Sequence, residues 1–394
     1  MLELFALLLP VAAASGWLAA SHHYQRKNAL LFTKPNSSRT VLVKGLNYYL
    51  NEKSGQVYDT YSDIFSQHAN PTESRIALGN LFRQNGEVER AIEIHQALLS
   101  ECSLSEEQHA RAIFELGMDF MRSGLFDRAE GIFLELKNDR LFGQSANQQL
   151  LQIYQQEKEW LKAIDCTRSL RACGKLRRGE TVAHFYCELA EEAIRNSNLD
   201  LAKSYLTRAF DEGHSVRASL LAARIAILQG CFQEALAILK CSAFQNTNYL
   251  EQVVDLMMEC YRQLGNLSEQ IESLKELHTI SPTGELIPII SRLIQERDGV
   301  VTAQHFLLDE IRKTPSVQGL RVLMDLLYID PPNEIKSILG ELRQISTHLV
   351  REAPKYRCMQ CGFSGMELHW RCPSCHHWES LVRISEAGVP DAIC

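Results

Sequence analysis

The stretch LGNLFRQNGEVERAIEIHQ, from Leu78 to Gln96, decides the fold. Gly79 is small enough to let two helices approach, and Phe82 fills the gap between them. Gly86 breaks the chain where a left-handed backbone costs glycine little. Ala91 then opens a second helix, with His95 one turn along the same face.

The same arrangement recurs on both sides of this stretch. Residues equivalent to Ala91 are Val57, Ala91, Ala129, Ala163, Ala202, Ala235, Gln270 and Ala303, spaced by 34, 38, 34, 39, 33, 35 and 33 residues. Twelve residues earlier stand Gly45, Gly79, Gly117, Leu151, Ala190, Ala223, Met258 and Ser291, six of them small. Nine residues earlier come Tyr48, Phe82, Phe120, Tyr154, Ala193, Ala226, Tyr261 and Ile294, which fill the space between the helices of a unit. Four residues later come Tyr61, His95, Phe133, Thr167, Leu206, Leu239, Leu274 and Leu307. A period near 34 with two helices per period is the tetratricopeptide pattern. The chain therefore reads as all-α, a tetratricopeptide-repeat α-solenoid. Gly86, Gly124, Gly230 and Gly265 mark the break between the helices of a unit, and Pro71 and Pro315 punctuate unit ends. The first unit, around Val57, is the weakest match. Val317 to Val350, split by Pro331 and Pro332, reads as a final pair that caps the array.

Such an array leaves a long face built from the first helix of each unit, suited to peptides or partner helices. Projection of the outward positions gives a candidate partner-binding groove of Asn80, Arg83, Phe114, Met118, Met121, Arg122, Gln152 and Gln155. Amide and guanidinium groups pair with a partner's main chain and acidic side chains, and Met and Phe adapt to varied apolar surfaces. The competing expectation is an ordinary solvated helix face.

Ahead of the array, Leu4 to Ala20 read LFALLLPVAAASGWLAA, free of charge and about 25 Å long as a helix, which just spans a bilayer core. Glu3 precedes it and no basic residue does, which argues against a cleaved signal peptide. Arg26 and Lys27 follow it, so the rest of the chain is expected on the cytoplasmic side of a single-pass anchor. The expected organisation is an anchor at 1–20, a linker at 21–37, the repeat array at 38–350, and a metal-binding module with a tail at 351–394.

The module rests on two C-x-x-C pairs, Cys358 with Cys361 and Cys372 with Cys375, ten residues apart. Each pair forms a tight knuckle, and two knuckles complete a tetrahedral all-sulfur site for one metal ion per chain. Zinc and iron both suit such ligands. Gly362 after the first pair and Pro373 inside the second fit tight turns, and Phe363 to Arg371 are long enough for a hairpin. Trp370 and Trp378 are expected to cover the sulfurs, while His369, His376 and His377 are expected at the surface. A dithiol redox pair is the alternative, although the βαβ context of such motifs is missing. The remaining eight of the 12 cysteines are scattered, which fits core positions in a reducing compartment.

The composition is that of a folded protein, 45% hydrophobic and 23% charged, and a net charge of −7 gives no pull towards nucleic acid. No dinucleotide or phosphate-loop signature, zincin motif or nucleophile elbow is present, so no enzyme is expected. His95 and His184 read as core groups facing neighbouring helices.

An anchor, a tetratricopeptide array and a four-cysteine module in this order resemble the lipopolysaccharide assembly protein B family of Gram-negative bacteria. The segments carrying the likeness are Leu78 to Gln96, LLQIYQ at Leu150 to Gln155, AHFYCELA at Ala183 to Ala190, and YRCMQCGF with WRCPSC and Trp378. The resemblance implies an inner-membrane protein facing the cytoplasm, with Cys358, Cys361, Cys372 and Cys375 as ligands of a rubredoxin-like module docked on the array. It further implies an adaptor through which the FtsH membrane protease degrades the deacetylase that commits precursors to lipid A. The alternative is a tethered scaffold that gathers lipopolysaccharide synthesis or transport proteins without promoting proteolysis. Residues 21 to 44 and the tail ending at Cys394 are not obviously similar to the family.

Overall fold

The computed structural model describes residues 71–384, except 102–103, 173–179, 214, 281–283, 285, 330–335 and 353. The apolar run from Leu4 to Ala20, the linker, the repeat around Val57 and the tail beyond residue 384 lie outside these residues. No helix among the described residues is long and apolar enough to cross a membrane. The described chain contains sixteen α-helices and three short strands. It divides into two compact units between Ile153 and Tyr154.

The first unit holds α1 (Pro71–Gln84), α2 (Val88–Leu99), α3 (Glu106–Ser123), α4 (Phe126–Leu136) and most of α5 (Gly143–Glu157). Ser105 and Gln108 cap α3 reciprocally, satisfying two amides at its start, and Gly124 ends it in the left-handed conformation. The second unit continues with α6 (Trp160–Ala172), α7 (Glu180–Arg195), α8 (Leu199–Glu212), α9 (Val216–Leu228) and α10 (Phe232–Gln245). It then runs through α11 (Leu250–Leu264), α12 (Leu267–Ile280), α13 (Leu286–Asp298), α14 (Val300–Lys313), α15 (Val317–Leu327) and α16 (Lys336–Glu352). The strands β1 (Tyr356–Cys358), β2 (Ser364–Gly365) and β3 (Leu381–Arg383) close the described chain as an antiparallel sheet in the order β2-β1-β3.

The repeat offsets acquire a physical meaning in the folded chain. Ala91, Ala129, Ala163, Ala202, Ala235, Gln270 and Ala303 each stand fourth in the second helix of a pair, and all are buried. Five residues before six of them the backbone is left-handed, at Gly86, Gly124, Lys158, Ser197, Gly230 and Gly265. Lys158 and Ser197 show that the turn geometry persists where glycine is missing, at a cost of roughly 1 kcal/mol each.

The positions twelve before and four after the aligned residue are two sides of one contact. A Cβ on Gly79 would fall 2.4 Å from the His95 ring, and one on Gly117 would fall 2.7 Å from the Phe133 ring. Gly117→Ala is therefore expected to destabilise the first unit by about 1–3 kcal/mol through overpacking. Gly131 lies in the interior of α4 with open space around it, so Gly131→Ala is expected to stabilise by about 0.5–1 kcal/mol. Urea melts of the two variants should shift in opposite directions, and a Gly117→Ala melt matching wild type would refute the close approach.

Candidate metal centre and its dock on the array

The four-cysteine module is two copies of one knuckle, fourteen residues apart. In the first, the Gly362 N–H donates to the Cys358 carbonyl at 2.9 Å and the Cys358 N–H to the Phe363 carbonyl at 2.7 Å. In the second, His376 donates to Cys372 at 2.9 Å and Cys372 to His377 at 2.9 Å. The residue after each pair is left-handed, Gly362 with φ 77° and His376 with φ 60°. Tyr356, Cys358, Cys372 and Leu381 form the small core between the knuckles, with Phe363 and Leu368 packed against it.

All four sulfurs lie within 4.8 Å of one another. Cys358 and Cys375 Sγ are 3.6 Å apart, and Cys361 and Cys372 Sγ 3.7 Å. A tetrahedron with metal–sulfur bonds of about 2.3 Å has edges of about 3.8 Å, so the quartet has the spacing of a ligand set and could hold one zinc or iron ion. Its electrostatics agree with that use. Burial opposes ionisation of Cys358, but hydrogen bonds from Ser380 and from the Cys361 and Gln360 amides outweigh it and bring the thiol down to about 6. Cys375 is held up at about 12: the His377 amide favours its thiolate, but burial and the three other thiols outweigh it. Four thiolates cannot share this volume without a cation among them. Cys361 is exposed, so one side of the site faces solvent.

The two tryptophans do not cover the sulfurs as expected. They point the other way, into the array. The Trp378 ring stacks on His184 at 4.9 Å and meets Phe185 and Trp160 edge-on at 6.0 and 6.2 Å. Trp370 stacks on Tyr249 at 4.7 Å. Arg217, 3% exposed, lies beneath both rings, its guanidinium carbon 5.7 and 5.8 Å from their centroids. Glu188 and Glu191 hold that guanidinium at 2.8 and 2.7 Å. Tryptophan suits such a dock because a large flat ring contributes area and accepts a cation on its face. Cys358 and Cys372 are screened instead by Tyr356, Leu381, Phe363 and Leu368 of the module's own core.

His184 is corrected with them: it is buried as expected, but it faces the metal module, with Nε2 3.1 Å from Glu379 Oε1 in an alignment that makes no hydrogen bond. Burial pushes the thiol of Cys187, beside Arg217, up to about 12. At the other end of the dock, Lys355 Nζ and the Tyr356 hydroxyl donate to the two Glu251 oxygens at 2.7 and 2.8 Å, and Gln252 reaches the same hydroxyl at 3.2 Å.

Burial alone would raise the Glu251 pKa, yet the Lys355 and Tyr356 hydrogen bonds and nearby positive charges carry it below the ordinary carboxylate value. A carboxylate with a lowered folded pKa contributes stability that is present above its unfolded value and is lost as pH falls through the folded one. The dock should therefore loosen below about pH 4.5. Glu251→Gln is expected to cost about 1 kcal/mol at pH 7 and to flatten this acid limb, read by tryptophan fluorescence. An unchanged acid limb in that variant would remove Glu251 from the account.

The groove candidates separate into distinct environments. Arg83 is engaged by Glu115 at 2.7 Å and Asp119 at 2.9 Å, and Asp119 also contacts the buried His95 at 2.5 Å. Phe114 packs on Phe142 and Phe133 at 5.4 and 5.6 Å. Asn80, Met118 and Met121 are half-buried, while Arg122 and Gln152 are exposed. Gln155 belongs to the dock: its carbonyl accepts from Arg371 at 3.2 Å and its side-chain oxygen from Trp378 at 3.4 Å. Sequence reasoning missed Arg217, Glu188, Glu191, Tyr249 and Glu251. The available signal was Arg217 itself, one of two arginines in the otherwise apolar helix VRASLLAARIAIL.

A family profile described as a rubredoxin metal binding domain matches residues 356–383. The chain is 35% identical over 387 residues to lipopolysaccharide assembly protein B of Escherichia coli K12, covering 98% of each. It is 32% identical over 395 residues to the Haemophilus influenzae protein of that name, covering 98% of this chain and 99% of the other. Among solved structures, a tetratricopeptide repeat protein from Parabacteroides merdae is 15% identical, covers 70% of this chain and 98% of its own, and aligns with a TM-score of 0.31.

Proposed function

The chain belongs to the lipopolysaccharide assembly protein B family, and we propose that it is a non-enzymatic inner-membrane adaptor controlling lipopolysaccharide output. In this reading the helical array receives the committed-step lipid A deacetylase and brings it to an FtsH-type membrane protease, together with other lipopolysaccharide assembly proteins. The Leu4–Ala20 run anchors it with the array on the cytoplasmic side. Sharing one bilayer with the protease raises effective concentration without new contacts, so a weak groove suffices.

Cys358, Cys361, Cys372 and Cys375 would hold one zinc or iron ion, which when bound supplies a structural cross-link between the knuckles. The chain's own residues do the rest. Trp370, Trp378 and Lys355 fix the module on the array, and Arg217, Tyr249 and Glu251 receive it. The observation that carries the reading is full-length kinship combined with a metal module seated on the helices.

Depletion of the chain in its own cells should lengthen the deacetylase half-life several-fold, and re-expression should restore it. An unchanged half-life with mislocalised assembly proteins would replace the adaptor with a tethered scaffold.

A further inference from the structure

A cavity of about 280 Å³ opens between α11, α13 and α15, the first helices of three successive pairs. Its floor is aliphatic, formed by Leu250, Val254, Leu286 and Ile289. Its rim carries a shielded donor without a partner and a solvent-exposed carboxylate. Arg321 Nε is shielded from solvent without a hydrogen-bond partner, and the guanidinium approaches Asp325 only to 3.8 Å. The carboxylate is Asp255 on α11, which is exposed. Partial desolvation and the neighbouring Glu251 raise its pKa, with Lys355 only partly opposing them. A donor and an acceptor flanking an aliphatic floor are what an extended main chain satisfies, with alternate side chains directed downward.

The path of the chain selects the occupant. The Ile384 N–H donates to the Lys355 carbonyl at 2.9 Å, and Lys355 is itself part of the cavity wall. The sequence continues as SEAGVPDAIC, residues 385–394, from a point at that rim. Ten extended residues reach up to about 33 Å, so length does not restrict access to the floor. Pro390 biases Val389 towards the extended region. In an extended chain Val389 and Ile393, four residues apart, share one face. They are the β-branched aliphatic residues of this segment.

We propose that residues 385–393 bind this cavity as an intramolecular ligand, with Val389 and Ile393 on the aliphatic floor and their main chain bridging Arg321 and Asp255.

The test uses the full chain with the photo-cross-linker p-benzoylphenylalanine replacing Val389 or, separately, Ile393. Irradiation followed by peptide mapping should give cross-links within one chain, to 250–255 or 286–289. Arg321→Ala combined with Asp255→Ala should lower their yield at least threefold. Cross-links elsewhere on the chain, cross-links only to a second copy, or a yield unmoved by the rim variants would each overturn the assignment.

Discussion

Replacing Cys372 with serine is expected to unfold residues 354–384 and release them from the array. Cys372 is fully buried between the knuckles, 3.7 Å from the Cys361 sulfur, and its amide closes the second turn. The module has strands of only three, two and three residues, too little sheet and core to fold alone. Structural zinc contributes on the order of 10 kcal/mol or more to small modules, far above what Tyr356, Leu381 and Phe363 can supply by burial. Elemental analysis of Cys372→Ser should fall from one metal per chain to below about a tenth. Trypsin should then cut at Arg357, Arg371 and Arg383, which the folded module protects. Trp160, Phe185 and Tyr249 lose their covering rings at the same time, so the variant should bind an apolar dye that wild type does not. Cys231→Ser, at an exposed helix cap outside the module, is the control and should change none of these. Full metal content with intact protease resistance in Cys372→Ser would remove the four-thiolate assignment.

The sequence disclosed the parts of this molecule that local rules determine. A small residue at Gly117 and a ring at Phe133 must meet if two helices pack, and both recur at fixed offsets because each unit solves the same packing problem. The two knuckles were legible for the same reason, since the ligand turns are built within six residues, Cys358 to Phe363 and Cys372 to His377. The dock was not legible. Arg371 reaches Gln155 across 216 residues of sequence, and Lys355 reaches Glu251 across 104. No periodicity records such a pairing. Trp370 and Trp378 were therefore assigned to the nearest object in sequence, the sulfurs, when the array offered a cation and two aromatic faces. Gln155, expected in the groove, meets the same gap: Trp378, which donates to its side chain, lies 223 residues away in sequence.

The second large effect is expected at Arg217. Arg217→Ala should destabilise the docked array by about 1.5–3 kcal/mol, the usual cost of losing hydrogen bonds to charged groups, because the guanidinium is buried while Glu188 and Glu191 on the same array stay 25% and 32% exposed. The guanidinium contacts Glu188 and Glu191 at 2.8 and 2.7 Å, and its side chain is only 4% exposed. Without it, the partly exposed Glu188 and Glu191 are left without their cation, and Trp370 and Trp378 lose a cation–π partner worth about 0.5–2 kcal/mol. Arg217→Lys should recover only part of this, because a point charge cannot serve both carboxylates and lie flat beneath two rings. The decisive comparison is Arg217→Met with Glu188→Gln and Glu191→Gln, which removes the charges together and should restore most of the stability lost in Arg217→Ala. Quenching of Trp370 and Trp378 fluorescence by iodide reports undocking directly: strong in Arg217→Ala, weak in wild type and in the triple variant. If the triple variant were as quenched as Arg217→Ala, stranded carboxylates would not explain the loss, and the guanidinium itself would be what the tryptophans require. If Arg217→Ala were quenched no more than wild type, the aromatic stack with Tyr249 and His184 would hold the module without the cation.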